Sequence, residues 1–271
     1  MGAPRLATTG RGGARTYPWP PDDPEPIDAP SVTTVLRSLA KPALVPWAAK
    51  VTAEQAVAMT KTGALPALVE HDEAAAVAAV KDAPRNQRDT AGNFGTSVHE
   101  ALESWATGST MPMLDGPGAD AWGHLTDLLD AYEVVALHAE ATVYGDTHEL
   151  ATVYAGTCDL VADVTVPGRG RTRLVLDCKT NRGGVYPEAA YQLAAYRHAS
   201  HLVTDAGDVV PMPAVSGGLV LAVRPERAQA VPVDTGPEAL AMFRHLRAVH
   251  HLTTKGPRFV RRPLPMKGAA A

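Results

Sequence analysis

Asp177 and Lys179 stand one residue apart in LVLDCKT, a run whose apolar, β-favouring composition reads as a strand. Strand side chains alternate, so this carboxylate and this ammonium share one face while Leu176 and Cys178 take the other. Further on, Gln192 and Tyr196 are four residues apart in YQLAAY and share one face of a helix. Upstream lie Asp159, in YAGTCDLVADV, and His99, near the start of the helical pattern FGTSVHEALESW. Two carboxylates held together repel unless a cation neutralises them or one takes a proton. Carboxylate oxygens with one imidazole make a hard-to-borderline donor set, suited to Mg²⁺ or Mn²⁺. Such a cation polarises a phosphoryl oxygen and lowers the pKa of a bound water. An ammonium at Lys179 would orient that water or stabilise the extra charge of a pentacoordinate transition state. These are the parts of a metal-assisted hydrolysis of a phosphodiester.

The elements that must position these groups can be read around them. Residues 152–166 and 171–179 are β-rich and are joined by PGRG, a Pro/Gly turn. Antiparallel pairing about that turn brings Asp159 next to Asp177 and Lys179. A helix carries His99, a second is predicted over 119–139, and a third carries Gln192 with Pro187 in its first turn. GGLVLAVRP and AQAVPVD then read as two short strands around PERAQ, followed by a helix from Pro237 to His251. The fold class is α/β, with a central mixed β-sheet flanked by helices. Residues 1–30, rich in Pro, Gly and charge, are expected to be a flexible arm. One domain is expected over 31–253, with a helical portion at 31–90 and a catalytic core at 91–253. Ser31 is the expected N-cap of the helical portion and Trp47 its aromatic anchor. Residues 254–271 form a basic tail.

At these residues the chain resembles the PD-(D/E)XK nuclease superfamily, in its RecB-like exonuclease branch. That branch shows, in order, a helix-borne His, a G-x-x-D strand, a D-x-K strand and a Q-x-x-x-Y helix. Here they correspond to Gly95 to His99, Gly156 to Asp159, Asp177 to Lys179, and Gln192 to Tyr196. The match covers roughly residues 92 to 200, and the order carries it, since each motif alone recurs by chance. The layout, down to VYPEAAYQLAAYRHA, is similar to RecB-like exonucleases from phages of actinobacteria. The resemblance implies a restriction-endonuclease-like core and a metal-dependent DNA exonuclease serving recombination or DNA processing. It implies His99, Asp159, Asp177 and the main-chain carbonyl of Cys178 as metal ligands, and Lys179 as the catalytic cation. Glu140, in HAEATVY, resembles an acidic position that some family members carry, and is a weaker candidate for metal or water binding. The implied partners are DNA and a single-strand annealing or recombination protein. Two other readings stay open: a structure-specific endonuclease or nickase with the same site, and a catalytically silent DNA-binding protein.

Composition narrows the classes. The chain has 271 residues, 45% of them hydrophobic, enough for a large core. The net charge of −4 argues against a nucleic-acid coat protein but not against a nuclease with local basic groups. Candidate phosphate contacts are Arg85 and Arg88 before the His99 helix, Arg224 at a strand end, and Arg258, Arg261 and Arg262 in the tail. With only Cys158 and Cys178 present, a four-cysteine iron–sulfur cluster is not expected, and both thiols are read as core residues. HEALE lacks the second His of a zinc-protease helix, and neither a Walker loop nor a dinucleotide-binding glycine motif occurs. No stretch has the length and apolarity of a membrane span and no signal-peptide pattern opens the chain, so the expected location is the cytoplasm.

Overall fold

The computed structural model describes residues 6–148 and 151–257. Arg258, Arg261 and Arg262 therefore lie outside the described residues. The chain opens with β1 (Thr8–Thr9), β2 (Arg15–Trp19) and β3 (Ile27–Pro30), which form a small antiparallel sheet. Helix α1 (Val32–Leu36) follows, its N-terminus capped by the Ser31 hydroxyl, which accepts from the Thr34 N–H. Helices α2 (Leu44–Lys61), α3 (Ala64–His71) and α4 (Glu73–Lys81) lead into the long α5 (Ala83–Thr107) and then α6 (Gly116–Ala131). Next come the strands β4 (Val135–Gly145), β5 (Tyr154–Val166) and β6 (Gly170–Lys179), and helix α7 (Glu188–Arg197). Strands β7 (His201–Val203), β8 (Val209–Pro211), β9 (Gly217–Arg224) and β10 (Arg227–Val233) precede α8 (Pro237–Thr254).

The large sheet has seven strands in the order β10-β9-β6-β5-β4-β7-β8. β6 and β9 run parallel, as a crossover through α7 requires, and the other neighbours are antiparallel. The sheet is therefore mixed and flanked by helices, the α/β class expected. Its central strands are apolar toward both faces because both faces are covered. Val98, Leu125, Leu129, Leu160, Leu176 and Leu221 form the core under α5 and α6. Val35, Val161, Val175, Leu193, Val220 and Phe243 form the core under α1, α7 and α8.

Three expectations are corrected. The helix predicted over 119–139 stops at Ala131, and β4 takes the chain from Val135 onward. Glu133, at φ 47, turns the chain, and the β-branched and aromatic run Thr142-Val143-Tyr144 suits a central strand better than a helix. Residues 8–30 are not a flexible arm. Tyr17 and Ala29 are buried against Tyr144, Val153 and Ala155, and Trp19 lies 4.6 Å from the Tyr144 ring. Alternating apolar residues outweighed the surrounding prolines. Trp47 does not anchor its helix, since α2 buries no residue. Among the described residues no helix is long and apolar enough to cross a membrane.

Candidate metal centre

The antiparallel pairing of β5 with β6 ends at Leu160 opposite Leu176, just before the acidic residues. Beyond that point the strands part, and the Asp159 carboxylate enters the gap, where its Oδ2 accepts from the Cys178 N–H at 2.7 Å. Alternation slips here: Cys158 packs into the α7 side of the core and Leu160 into the α5 side, although they are two residues apart. The neighbouring strand slips at the same level. Ala139 packs toward α5 and Ala141 toward α7, and Glu140 between them has a left-handed φ of 46. A non-glycine residue in that region carries strain, and such strain collects at functional sites. The paired slips turn Glu140 and Asp159 toward α5. There His99 Nδ1 lies 3.4 Å from Asp159 Oδ2. The donor atoms of His99, Glu140 and Asp159 all fall within 4.8 Å of one another.

Asp177 and Lys179 occupy the α7 side, as alternation on β6 requires. The Lys179 ammonium donates to Asp177 Oδ1 at 2.9 Å and to Gln192 Oε1 at 3.2 Å. Gln192 Nε2 in turn donates to Asp177 Oδ1 at 2.7 Å. Asp177 Oδ2 lies 2.7 Å from the ammonium but off a hydrogen-bonding axis, and it is buried. Gln192 Nε2 also reaches Tyr196 Oη at 3.3 Å. Tyr196 is 1% exposed, so it cannot touch a substrate. Tyr196 therefore reaches the array only through Gln192, whereas Gln192 bonds the Lys179 ammonium and the Asp177 carboxylate directly.

Two glycines of the motifs have a steric reason. A Cβ at Gly156 would lie 2.7 Å from Tyr196 Cε1, so the G-x-x-D strand admits the Q-x-x-x-Y helix only without a side chain there. A Cβ at Gly95 would lie 2.9 Å from Thr180 Oγ1, which lets α5 bring His99 close to the end of β6.

The charges respond to burial and to each other. Burial pushes the Asp177 carboxyl up to about 6, with Lys179 opposing and Asp159 adding to the rise. Glu140 is pushed up to about 8, by burial first and then by the Asp159 and Glu103 carboxylates, with Arg15 opposing. Burial works against the Lys179 ammonium, yet the Asp177 and Asp159 carboxylates hold its pKa above the ordinary value. Three carboxyl groups thus crowd one ammonium, and two of them are driven toward the protonated form. His99, Glu140 and Asp159 offer two carboxylates and one imidazole to a metal ion, while Asp177 Oδ2 faces the Lys179 ammonium at 2.7 Å. The residues present fit a divalent cation.

Placement of the other candidates is mixed. Because a strand residue's N–H and C=O leave on the same edge, the Cys178 carbonyl faces the same gap as its N–H. Glu140, the weaker candidate, sits in the group of mutually close donors, whereas Asp177 is engaged by Lys179 and Gln192. Arg88 and Arg224 line a cleft of about 910 Å³ that also holds Thr180, Asn181 and Arg182. Arg224 donates to the Asn181 carbonyl at 2.9 Å and so also ties down the loop after β6. Arg85 is exposed and lies outside that cleft. Arg182 was missed by sequence reasoning, because only the path of the loop brings it there. Cys158 and Cys178 are free, buried, and packed on opposite sides of the sheet. Neither protein-family models nor curated proteins yield a match to this chain.

Proposed function

We propose that the chain is a divalent-metal-dependent deoxyribonuclease with a restriction-endonuclease-like core, acting as an exonuclease in phage DNA recombination or processing. The observation that carries this reading is the parting of β5 and β6 around one compact site. On one side stand His99, Glu140 and Asp159, and on the other the hydrogen-bonded array Asp177–Lys179–Gln192. The four motifs of the PD-(D/E)XK resemblance converge on that gap, which supports the family reading.

His99, Glu140, Asp159, Asp177 and the Cys178 carbonyl would hold the cation. When bound, it supplies charge neutralisation for the phosphoryl oxygens and an acidified water for in-line attack. Lys179 stays charged and aimed, because Asp177 and Gln192 fix its ammonium. An ammonium set in place beforehand stabilises charge as it builds on the phosphorus oxygens, without reorganising during the reaction. Gln192 also keeps the Asp177 carboxylate oriented, and Tyr196 supports Gln192 from the core.

The test is digestion of end-labelled linear DNA and covalently closed circular DNA with Mg²⁺, Mn²⁺ or chelator. Asp177→Ala and Lys179→Ala proteins run alongside. Metal-dependent loss of linear DNA alone, absent in both variants, is the expected result. Cutting of the circle would replace the exonuclease with an endonuclease. DNA binding by folded protein with no cleavage of either form would leave a silent DNA-binding protein.

A further inference from the structure

Lys179 and Gln192 also line a cavity of about 510 Å³ that His99 does not line. That volume lies within the roughly 300–1,000 Å³ that small ligands occupy. Leu36, Pro42, Val185 and Ala189 supply apolar wall, and the Tyr186 ring closes one side. Tyr186 is 49% exposed, yet it is held in place. Its hydroxyl packs directly on Gly183, where no Cβ would fit, and Gly184 takes a φ of 97 that favours glycine. Asn181 Nδ2 donates to the Gly184 carbonyl at 2.7 Å, and Arg224 secures Asn181 from β9. The fold thus fixes a half-exposed aromatic face one loop away from the reactive ammonium.

The charged groups lining this cavity are Lys179, Arg37, Lys41 and Glu188. Lys41 pairs with Glu188 at 3.2 Å, and the Arg37 guanidinium donates to the Gly12 and Gly13 carbonyls at 2.8 and 2.9 Å. Past Lys179 the wall therefore combines apolar side chains and the Tyr186 ring with one paired cation, Lys41, and one cation, Arg37, held only by neutral carbonyls. The ring and the apolar side chains match a flat aromatic group, and the Arg37 guanidinium matches the backbone that carries it.

We propose that this cavity seats the nucleobase next to the scissile phosphate, stacked on Tyr186 and withdrawn from its own strand. This inference rests on the nuclease reading, because it uses Lys179 as the group that meets the phosphate. Lys179 and Tyr186 line the same cavity, so a base flanking that phosphate is placed against the ring. The substrate is then a single-stranded or frayed end, since a paired base cannot enter. Stacking on an aromatic face accepts every base, so cutting is tolerant of sequence.

The experiment compares end-labelled single strands whose terminal nucleotide carries a base or is abasic, with the abasic position at the 5′ end in one set and the 3′ end in another. The full chain is assayed as wild type, Tyr186→Ala, Tyr186→Phe and Gly183→Ala. Wild type is expected to prefer the intact strand by on the order of ten-fold in kcat/KM at one of the two ends. Tyr186→Ala should fall to the abasic rate on both substrates, Tyr186→Phe should keep the preference, and Gly183→Ala should weaken it by displacing the ring. A wild type indifferent to the base at both ends, or a Tyr186→Ala protein that still discriminates, overturns the proposal. A binding arm uses 2-aminopurine at the terminal position with Ca²⁺ in place of Mg²⁺. If wild type cleaves nothing, the nuclease reading fails, and this arm decides the cavity separately. Fluorescence quenching that Tyr186→Ala abolishes supports the base pocket, and quenching unchanged by that substitution overturns it. Tyr186 is half-exposed, so its removal leaves the core intact, and matched melting curves verify this.

Discussion

Removing metal should make this protein increasingly unstable as pH rises, against the usual behaviour of carboxylates. The folded Asp177 carboxyl titrates at about 6 instead of 3.8, and Glu140 at about 8 instead of 4.5. Both folded pKa values are raised, so the native state holds protons that the unfolded chain has released. Stability from these groups is complete below the unfolded values, near pH 4, and is lost as pH climbs to about 8. One unit is worth about 1.4 kcal/mol. Because Asp159 lies close to both, the protons belong to the cluster and not to either residue. Taken independently the two shifts would withdraw about 8 kcal/mol across that window, and sharing of protons within the cluster lowers this to on the order of 5 kcal/mol. For a chain of this size, each kcal/mol lowers the melting temperature by about 2–4 °C, so the fall is roughly 10–20 °C.

A divalent cation should reverse the effect at the alkaline end, where the carboxylates are ionised. At one hundred times its Kd it returns about 2.7 kcal/mol. The assay is thermal unfolding from pH 5 to pH 9, in chelator and in Mg²⁺ or Mn²⁺, for wild type and Glu140→Gln. The variant cannot ionise at that position. At pH 8 in chelator it should melt above wild type, and it should gain less from metal. Comparing the two proteins cancels the other titrating groups. A wild-type melting temperature that is flat or rising with pH in chelator would refute the reasoning, as would a Glu140→Gln protein with the wild-type slope.

Three further outcomes follow from named contacts. Asp177→Ala and Lys179→Ala should each abolish metal-dependent cleavage while the protein stays folded, read by digestion alongside circular dichroism. Gly156→Ala drives a methyl to 2.7 Å from the Tyr196 ring, an overpacking worth about 1–3 kcal/mol that denaturant unfolding measures, with Gly156→Ala/Tyr196→Leu recovering part of the loss. Arg88→Ala and Arg182→Ala, which remove guanidinium groups from the 910 Å³ cleft, should each weaken DNA binding without preference for sequence. Each should also reduce the slope of log K against log salt by about 1, checked by a salt titration.

What the sequence made legible at this site was set by period, and what it hid was set by exceptions to period. Asp177 and Lys179 on one face of β6, and Gln192 and Tyr196 on one face of α7, follow from alternation and from the helical repeat, and the structure joins all four by hydrogen bonds. The pairing of β5 and β6 about PGRG was equally readable, because the turn residues and the β-branched runs agree. Glu140 was harder to place. Its position depends on a left-handed residue in β4 and a slip in β5 opposite it, and neither leaves a mark in hydrophobic spacing. The same slip sends Cys158 and Cys178 to opposite sides of the sheet, where strict alternation across the hairpin would have made them neighbours. Hydrophobic spacing alone carries the helix into β4, since the apolar residues of 119–139 satisfy a helical repeat until Glu133 reverses the chain. Residues 8–30 show the opposite failure: prolines suggested an arm, and four alternating apolar side chains built a sheet. The irregular positions in β4 and β5 are also the two carboxylates whose donor atoms group with that of His99. A regular sheet would direct successive side chains to one face or the other, and could not point Glu140 and Asp159 into the gap between strands. The strain at Glu140 is therefore the structural condition for a cation site there, and a bound cation is what would offset it.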